Sequence, residues 1–206
     1  MGTVSRKLGR PADTDSTDTR DRIVICARES FAAEGFEGTT NKEIAKRAGV
    51  SSTALYHYFP SKAELYVAVC DAITAVFAEA FEKAMTKHHT LEDRLQALFE
   101  EIGKLSTKSP SITGFTTGIS TVVRRHPEVS RGADAFGSEL RRMIIDLIRT
   151  SDEADVILGE TTVEAFADLT GSVMAGMGRM RVRGAQSRNA ATGEAFLHLV
   201  RKAAQS

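Results

Sequence analysis

Residues 51–59, Ser-Ser-Thr-Ala-Leu-Tyr-His-Tyr-Phe, put two kinds of side chain on two sides of one short helix. At helical spacing Leu55, Tyr58 and Phe59 fall together and should be buried, whereas Ser52, Thr53, Tyr56 and His57 fall opposite. Packing needs none of the second group. Short hydroxyls, a phenol and an imidazole suit base edges and phosphate oxygens, and a major groove admits one α-helix. The chemistry implied is recognition rather than bond making. The chain has no G-x-S-x-G, Walker glycine loop, G-x-G-x-x-G or H-E-x-x-H, and no Glu-x-x-His pair. No catalytic residue, metal ligand or cofactor is therefore assigned.

The flanking residues say how that helix is held. Thr40 and Glu43 form a capping box that opens a first helix, with Ile44, Ala45 and Ala48 as its apolar stripe. Lys42 and Lys46 project from its other side, one turn apart. Gly49 supplies the positive φ of a helix C-terminus. Ser51 caps the second helix, Pro60 ends it, and Ser61 with Glu64 spells another capping box for a third. Two helices joined by a tight turn make a helix-turn-helix, whose second member reads DNA while the first crosses the backbone.

These residues carry a resemblance. Thr39-Thr40, Ile44-Ala45, Ala48-Gly49-Val50-Ser51, Leu55-Tyr56-His57-Tyr58-Phe59 and Ser61-Lys62 are similar to the N-terminal domain of TetR-family transcriptional regulators, without gaps from about Ile23 to Leu65. Thr53 departs from the pattern, standing where many members have glycine, so base preference does not carry over. The resemblance implies phosphate contacts for Thr40, Tyr56, His57 and Lys62. Thr39, Lys46, Ser51, Ser52 and Thr53 complete the expected DNA-facing set. It further implies an all-α fold, a homodimer, a palindromic double-stranded operator and a small-molecule effector bound in a second helical domain.

Composition fits a cytoplasmic regulator. Lys+Arg and Asp+Glu both number 27 in 206 residues, so no global basic excess announces a nucleic-acid partner. The excess is local: across residues 39–62, Lys42, Lys46, Arg47 and Lys62 oppose only Glu43. A local patch suffices, because phosphate contacts act within a Debye length of roughly 8–10 Å. The first 17 residues lack the apolar core of a signal peptide, and no run approaches the roughly 20 apolar residues of a membrane span. Cys26 and Cys70 sit on apolar helix patterns without CxxC spacing and read as reduced buried thiols.

Taken in order, residues 1–18 read as a flexible arm, 19–66 as the DNA-binding domain and 67–206 as the effector-binding and dimerisation domain. Arg6-Lys7-Leu8-Gly9-Arg10-Pro11 in the arm resembles a basic element that enters A·T-rich minor grooves; a merely solubilising leader is the alternative. Residues 19–34 form an amphipathic helix with Ile23, Ala27, Ser30 and Phe31 inward and Gly35 at its stop. Residues 62–89 stay helical without a breaker, through Leu65, Val69, Ile73, Val76, Phe77, Ala80 and Ala84. That helix, roughly 40 Å long, runs from the first body into the second. His88-His89 at its end diverge too far to share a metal ion. Helical periods continue over 91–105, 112–123, 136–148, 162–183 and 193–203. Arg124-Arg125-His126-Pro127-Glu128 also resembles a segment between central helices of TetR-family ligand domains.

Two features of the second body point to function. Gly171, Ala175 and Gly178 lie at i, i+4 and i+7, leaving one side of a helix nearly bare, and each helical glycine costs about 1 kcal/mol against alanine. Close approach of another helix offsets that cost. With Phe196, Leu199 and Val200 this suggests a four-helix dimer interface, the alternative being tight packing within one subunit. Arg179, Arg181 and Arg183 complement the dipole at that helix's end. Phe77, Phe81, Phe99, Phe115, Ile119, Met143 and Met174 are candidate lining for a pocket, with Thr116, beside Thr117, placed to orient a ligand. A largely apolar effector is expected, with no obvious partner for a highly charged one. Two classes of function follow: a ligand-responsive repressor released from its operator, or a helical carrier or interaction module without sequence-specific DNA binding.

Overall fold

The structure, a computed structural model, describes residues 12–205, with the backbone alone for 12–16. The basic element Arg6–Pro11 lies outside the described residues. The architecture is all-α: α1 (Ala12–Gly38), α2 (Asn41–Arg47), α3 (Ser52–Tyr58), α4 (Lys62–Lys87), α5 (Leu91–Lys108), α6 (Pro110–Arg125), α7 (Ser130–Arg149), α8 (Ala154–Leu158), α9 (Val163–Val182) and α10 (Gln186–Ala204). No helix among the described residues is long and apolar enough to cross a membrane.

Two boundaries differ from the sequence expectation. Residues 12–18, assigned to the arm, are helical. Once Ile23, Val24 and Ala27 are packed, each further residue added toward the N-terminus gains a hydrogen bond at little cost. At the other end Gly35 breaks α1 with φ 74°, and a further turn runs on to Gly38. That extra turn buries Phe36. The short α8, which has no periodic signal, follows Glu153, whose φ of 63° lies in the left-handed region.

The expected caps are present. The Thr40 hydroxyl accepts from Glu43 N–H at 3.2 Å while Thr40 N–H donates to the Glu43 carboxylate at 3.1 Å. Ser51 and Ser61 cap α3 and α4 in the same way. Glu64 does not turn back to complete its box; it pairs with Arg131 of α7 at 3.0 Å.

The three-helix head closes on Ile23, Phe31, Ile44, Leu55, Phe59 and Leu65, all buried. Its core has no boundary with the second body. Phe31, Phe36, Tyr66 and Phe115 form one aromatic cluster, with Tyr66 and Phe115 4.6 Å apart between ring centroids. Burial raises the Tyr66 phenol and pushes the Cys70 thiol up to about 12, so both stay protonated. Where α4 crosses α7, the two backbones touch: a Cβ on Gly132 would lie 2.9 Å from the Val67 Cα. Arg94 is buried and carries its charge without a carboxylate bond. It donates to the His88 and Leu147 carbonyls and the Thr150 and Ser151 hydroxyls, tying α5 to the ends of α4 and α7.

Candidate nucleic-acid interface and ligand cavity

On α3 the division of faces holds in space. Leu55 and Phe59 are buried, while Thr53, Tyr56 and His57 are exposed and Ser52 is partly so. Tyr56 is 51% exposed, a high value for a large aromatic with no packing duty on that side. Lys46 on α2 is exposed beside it in sequence, and so is Lys42, which the expected set omitted although its spacing from Lys46 was visible. Arg47 is drawn to Glu29 at 3.2 Å.

Several expected contacts point elsewhere. Thr39 is buried, and its hydroxyl donates to the Gly35 carbonyl at 2.7 Å, closing the break in α1. Lys62 turns inward: its ammonium donates to the Phe36 and Thr39 carbonyls at 2.8 and 3.1 Å and stands 4.4 Å from the Phe36 ring centroid. A lysine so held satisfies orphan carbonyls at the end of α1 before it can reach a phosphate. The Thr40 hydroxyl both accepts from Glu43 N–H and donates to its carboxylate, whereas the Ser51 hydroxyl accepts from Ala54 N–H and keeps its proton for a phosphate. Arg22 locks the turn of the motif by donating to the Ala48 carbonyl at 2.8 Å.

The second body encloses a cavity of about 600 Å³ between α4, α5, α6, α7 and α9. Phe77, Phe99, Thr116, Ile119 and Met174 line it, as the sequence suggested. Phe81, Phe115 and Met143 do not: they are buried in helix packing, Phe115 within the aromatic cluster. Thr117 lines it beside Thr116 as expected; Thr113, Ser120 and Arg124 were missed, although with those two they repeat every three or four residues along α6. The lining also holds Arg179 and Arg181 against one carboxylate, Asp134. The expectation that a charged ligand finds no partner is thus corrected.

The small-residue stripe of α9 faces this cavity. A Cβ on Gly178 would lie 3.4 Å from the Thr117 methyl, and one on Gly171 3.7 Å from Ile144. Gly171 and Gly178 thus stand in ordinary contact with α7 and α6, while Ala175 between them lines the cavity and is exposed. Phe196 and Val200 are buried inside the protomer, Phe196 against Phe99 and Phe166. Of the expected dimer residues Ala175 and Leu199 are exposed, Leu199 at 65%; Leu169 and Val182 of α9 are exposed as well.

Helix α6 joins cavity and head. One side lines the cavity; another lies along α1, with Gly114 against Ala32 and the Ser111 hydroxyl accepting from Arg28 at 3.0 Å. At its end His126 lies 3.0 Å from Glu37 and packs on Phe36, and Arg125 approaches Glu37 at 3.8 Å.

These elements make a helix-turn-helix head, with Thr53, Tyr56 and His57 exposed on its second helix, joined to a helical body around a cavity. Residues 23–69 match the family model described as bacterial regulatory proteins, tetR family. Among curated relatives, the nucleoid occlusion factor SlmA of Glaesserella parasuis is 27% identical over 134 residues, 65% of this chain and 66% of that protein. SlmA of Haemophilus influenzae is 31% identical over 114 residues, 55% and 52% of the two chains. The chain thus spans less than two thirds of the length of these relatives. Among solved structures, a TetR-family transcriptional regulator from Agrobacterium tumefaciens superposes with a TM-score of 0.77 at 14% identity, covering 89% of this chain and 97% of that one. The regulator FadR from Bacillus subtilis, in complex with stearoyl-CoA, gives 0.71 at 16% identity, covering 87% and 96%. Those two likenesses are of fold.

Proposed function

We propose that the chain is a cytoplasmic, homodimeric transcriptional regulator, a repressor released from a palindromic operator when a small, largely apolar effector enters the cavity. It acts by binding rather than by catalysis. The observation that carries this is the double contact of α6, with Thr113, Thr117 and Ser120 at the cavity and Gly114 against α1 of the head. A ligand that shifts α6 must move what α6 is packed on, because tightly packed elements transmit displacement rather than absorb it. Exposed Leu199 on α10 and exposed Leu169 on the adjoining α9 are apolar groups available to a second copy. The SlmA relatives are named for nucleoid occlusion; the cavity favours a ligand-responsive role here.

The test is selection of duplexes from random sequence by the full chain. Retained sequences should be near-palindromes with half-sites about 34–36 Å apart, or a multiple of that spacing. Affinity should fall steeply with salt, with a log–log slope near roughly −0.9 per neutralised phosphate. Weak binding without sequence preference would leave the carrier or interaction module instead. Near-complete release by an effector requires about 5.5 kcal/mol of differential affinity between the two states.

A further inference from the structure

Arg181 is the charged residue common to two cavities. It lines the apolar one together with Phe99 and Met177, and the same three residues line a second cavity of about 670 Å³ between α5, α9 and α10. The second has a polar lining that includes Gln96, Glu100 and His198. The Arg181 guanidinium lies over Gly103 of α5, where a Cβ would come 3.1 Å from its Nη2, so the absence of a side chain there gives it room. Arg181 is partly buried, and its side chain makes no ion pair or hydrogen bond among the described residues. Arg141, Arg149 and Arg201 are engaged, with Asp168, Glu164 and Glu92; Arg124 and Arg179 share the lining of the first cavity with Arg181 but do not reach the second.

From this placement we infer that the effector is an amphiphile with an anionic head, its apolar chain in the first cavity and its head on Arg181 where the two cavities meet. This rests on the regulator reading and specifies the ligand of the same site. A guanidinium offers a planar fork of donors to a carboxylate or phosphate, and the bond is charge-assisted at both ends. Phe77, Phe136 and Met174 in the same cavity suit an apolar chain, while Thr113, Thr116, Thr117 and Ser120 set hydroxyls along one side of it. About 600 Å³ lies within the roughly 300–1,000 Å³ typical of small-molecule sites. The second cavity, with Gln96, Asn189 and His198 among its lining, gives the head a route to water.

The experiment is calorimetric titration of the full chain, without DNA, with four ligands sharing a twelve-carbon chain: dodecanoate, dodecyl phosphate, dodecanol and dodecylamine. At least one anion should bind ten-fold or more tighter than the alcohol, and the amine should bind no better than the alcohol. The preferred anion identifies the head. Arg181→Gln should bring the anion-to-alcohol ratio close to one while alcohol binding is kept. Gly103→Asp, which sets a carboxylate beside the same guanidinium, should also lower the ratio. Arg183→Gln, outside the cavity lining, should leave it unchanged. Equal binding of anions and alcohol by the wild type, or a ratio that survives Arg181→Gln, overturns the assignment. Duplex selection contains no ligand and the titration no DNA, so either can fail without the other.

Discussion

Gly114 of α6 and Ala32 of α1 stand so close that a Cβ on the glycine would lie 3.2 Å from the alanine Cβ and 3.8 Å from its backbone. That contact joins the head to the helix lining the cavity. Gly114→Val should push the helices apart and destabilise the chain by about 1–3 kcal/mol through overpacking. A lowered urea midpoint, with operator affinity altered in the absence of any effector, is the expected result. An unchanged midpoint would contradict the close approach.

Tyr56 presents its hydroxyl away from the core, so removing it should cost DNA and not the fold. Tyr56→Phe is expected to weaken binding to every operator variant alike, by roughly three- to ten-fold, the worth of one net hydrogen bond. Thermal stability should stay at wild type. Anisotropy titrations over several duplexes check this; a change confined to one base position would instead make Tyr56 a base reader.

Much of this was legible in the sequence, and what was not has a common cause. The caps at Thr40, Ser51 and Ser61, the turn at Gly49 and the split faces of α3 are local, set by residues three or four apart. Lys62 and Thr39 were misplaced because their partners are carbonyls of the broken end of α1, and a backbone oxygen leaves no mark in sequence. Gly171 and Gly178 correctly signalled a close approach, but a bare helix side does not say which helix comes near. For Phe81, Phe115 and Met143, core and cavity wall demand the same apolar side chains, so only packing separates them.

Arg94 is the buried cation of the second body. Arg94→Met keeps the volume and removes the donors, leaving the His88 and Leu147 carbonyls short of partners. A loss of about 2–3 kcal/mol is expected, read as a lower urea midpoint at unchanged slope. Lysine should not rescue it, because one ammonium cannot reproduce the spread of a guanidinium's donors. A fully stable Met variant would show the four bonds to be incidental.

Leu199 of α10 is the large apolar residue left most exposed among those expected at a dimer contact, which makes it the position for the association test. Leu199→Asp should shift the chain toward monomer in sedimentation velocity and reduce operator affinity with it, while far-ultraviolet circular dichroism is unchanged. Persistence of the dimer would place the contact elsewhere. Gly178→Leu, by contrast, should obstruct the cavity beside Thr117 and weaken ligand binding before it affects association.

The inward turn of Lys62 has a mechanical consequence. With its ammonium fastened to both Phe36 and Thr39, the start of α4 and the end of α1 have no swivel between them. The reading helix must then travel as a nib travels with its pen: aimed by the tilt of a long shaft, and free of any need to melt or re-form when the shaft leans.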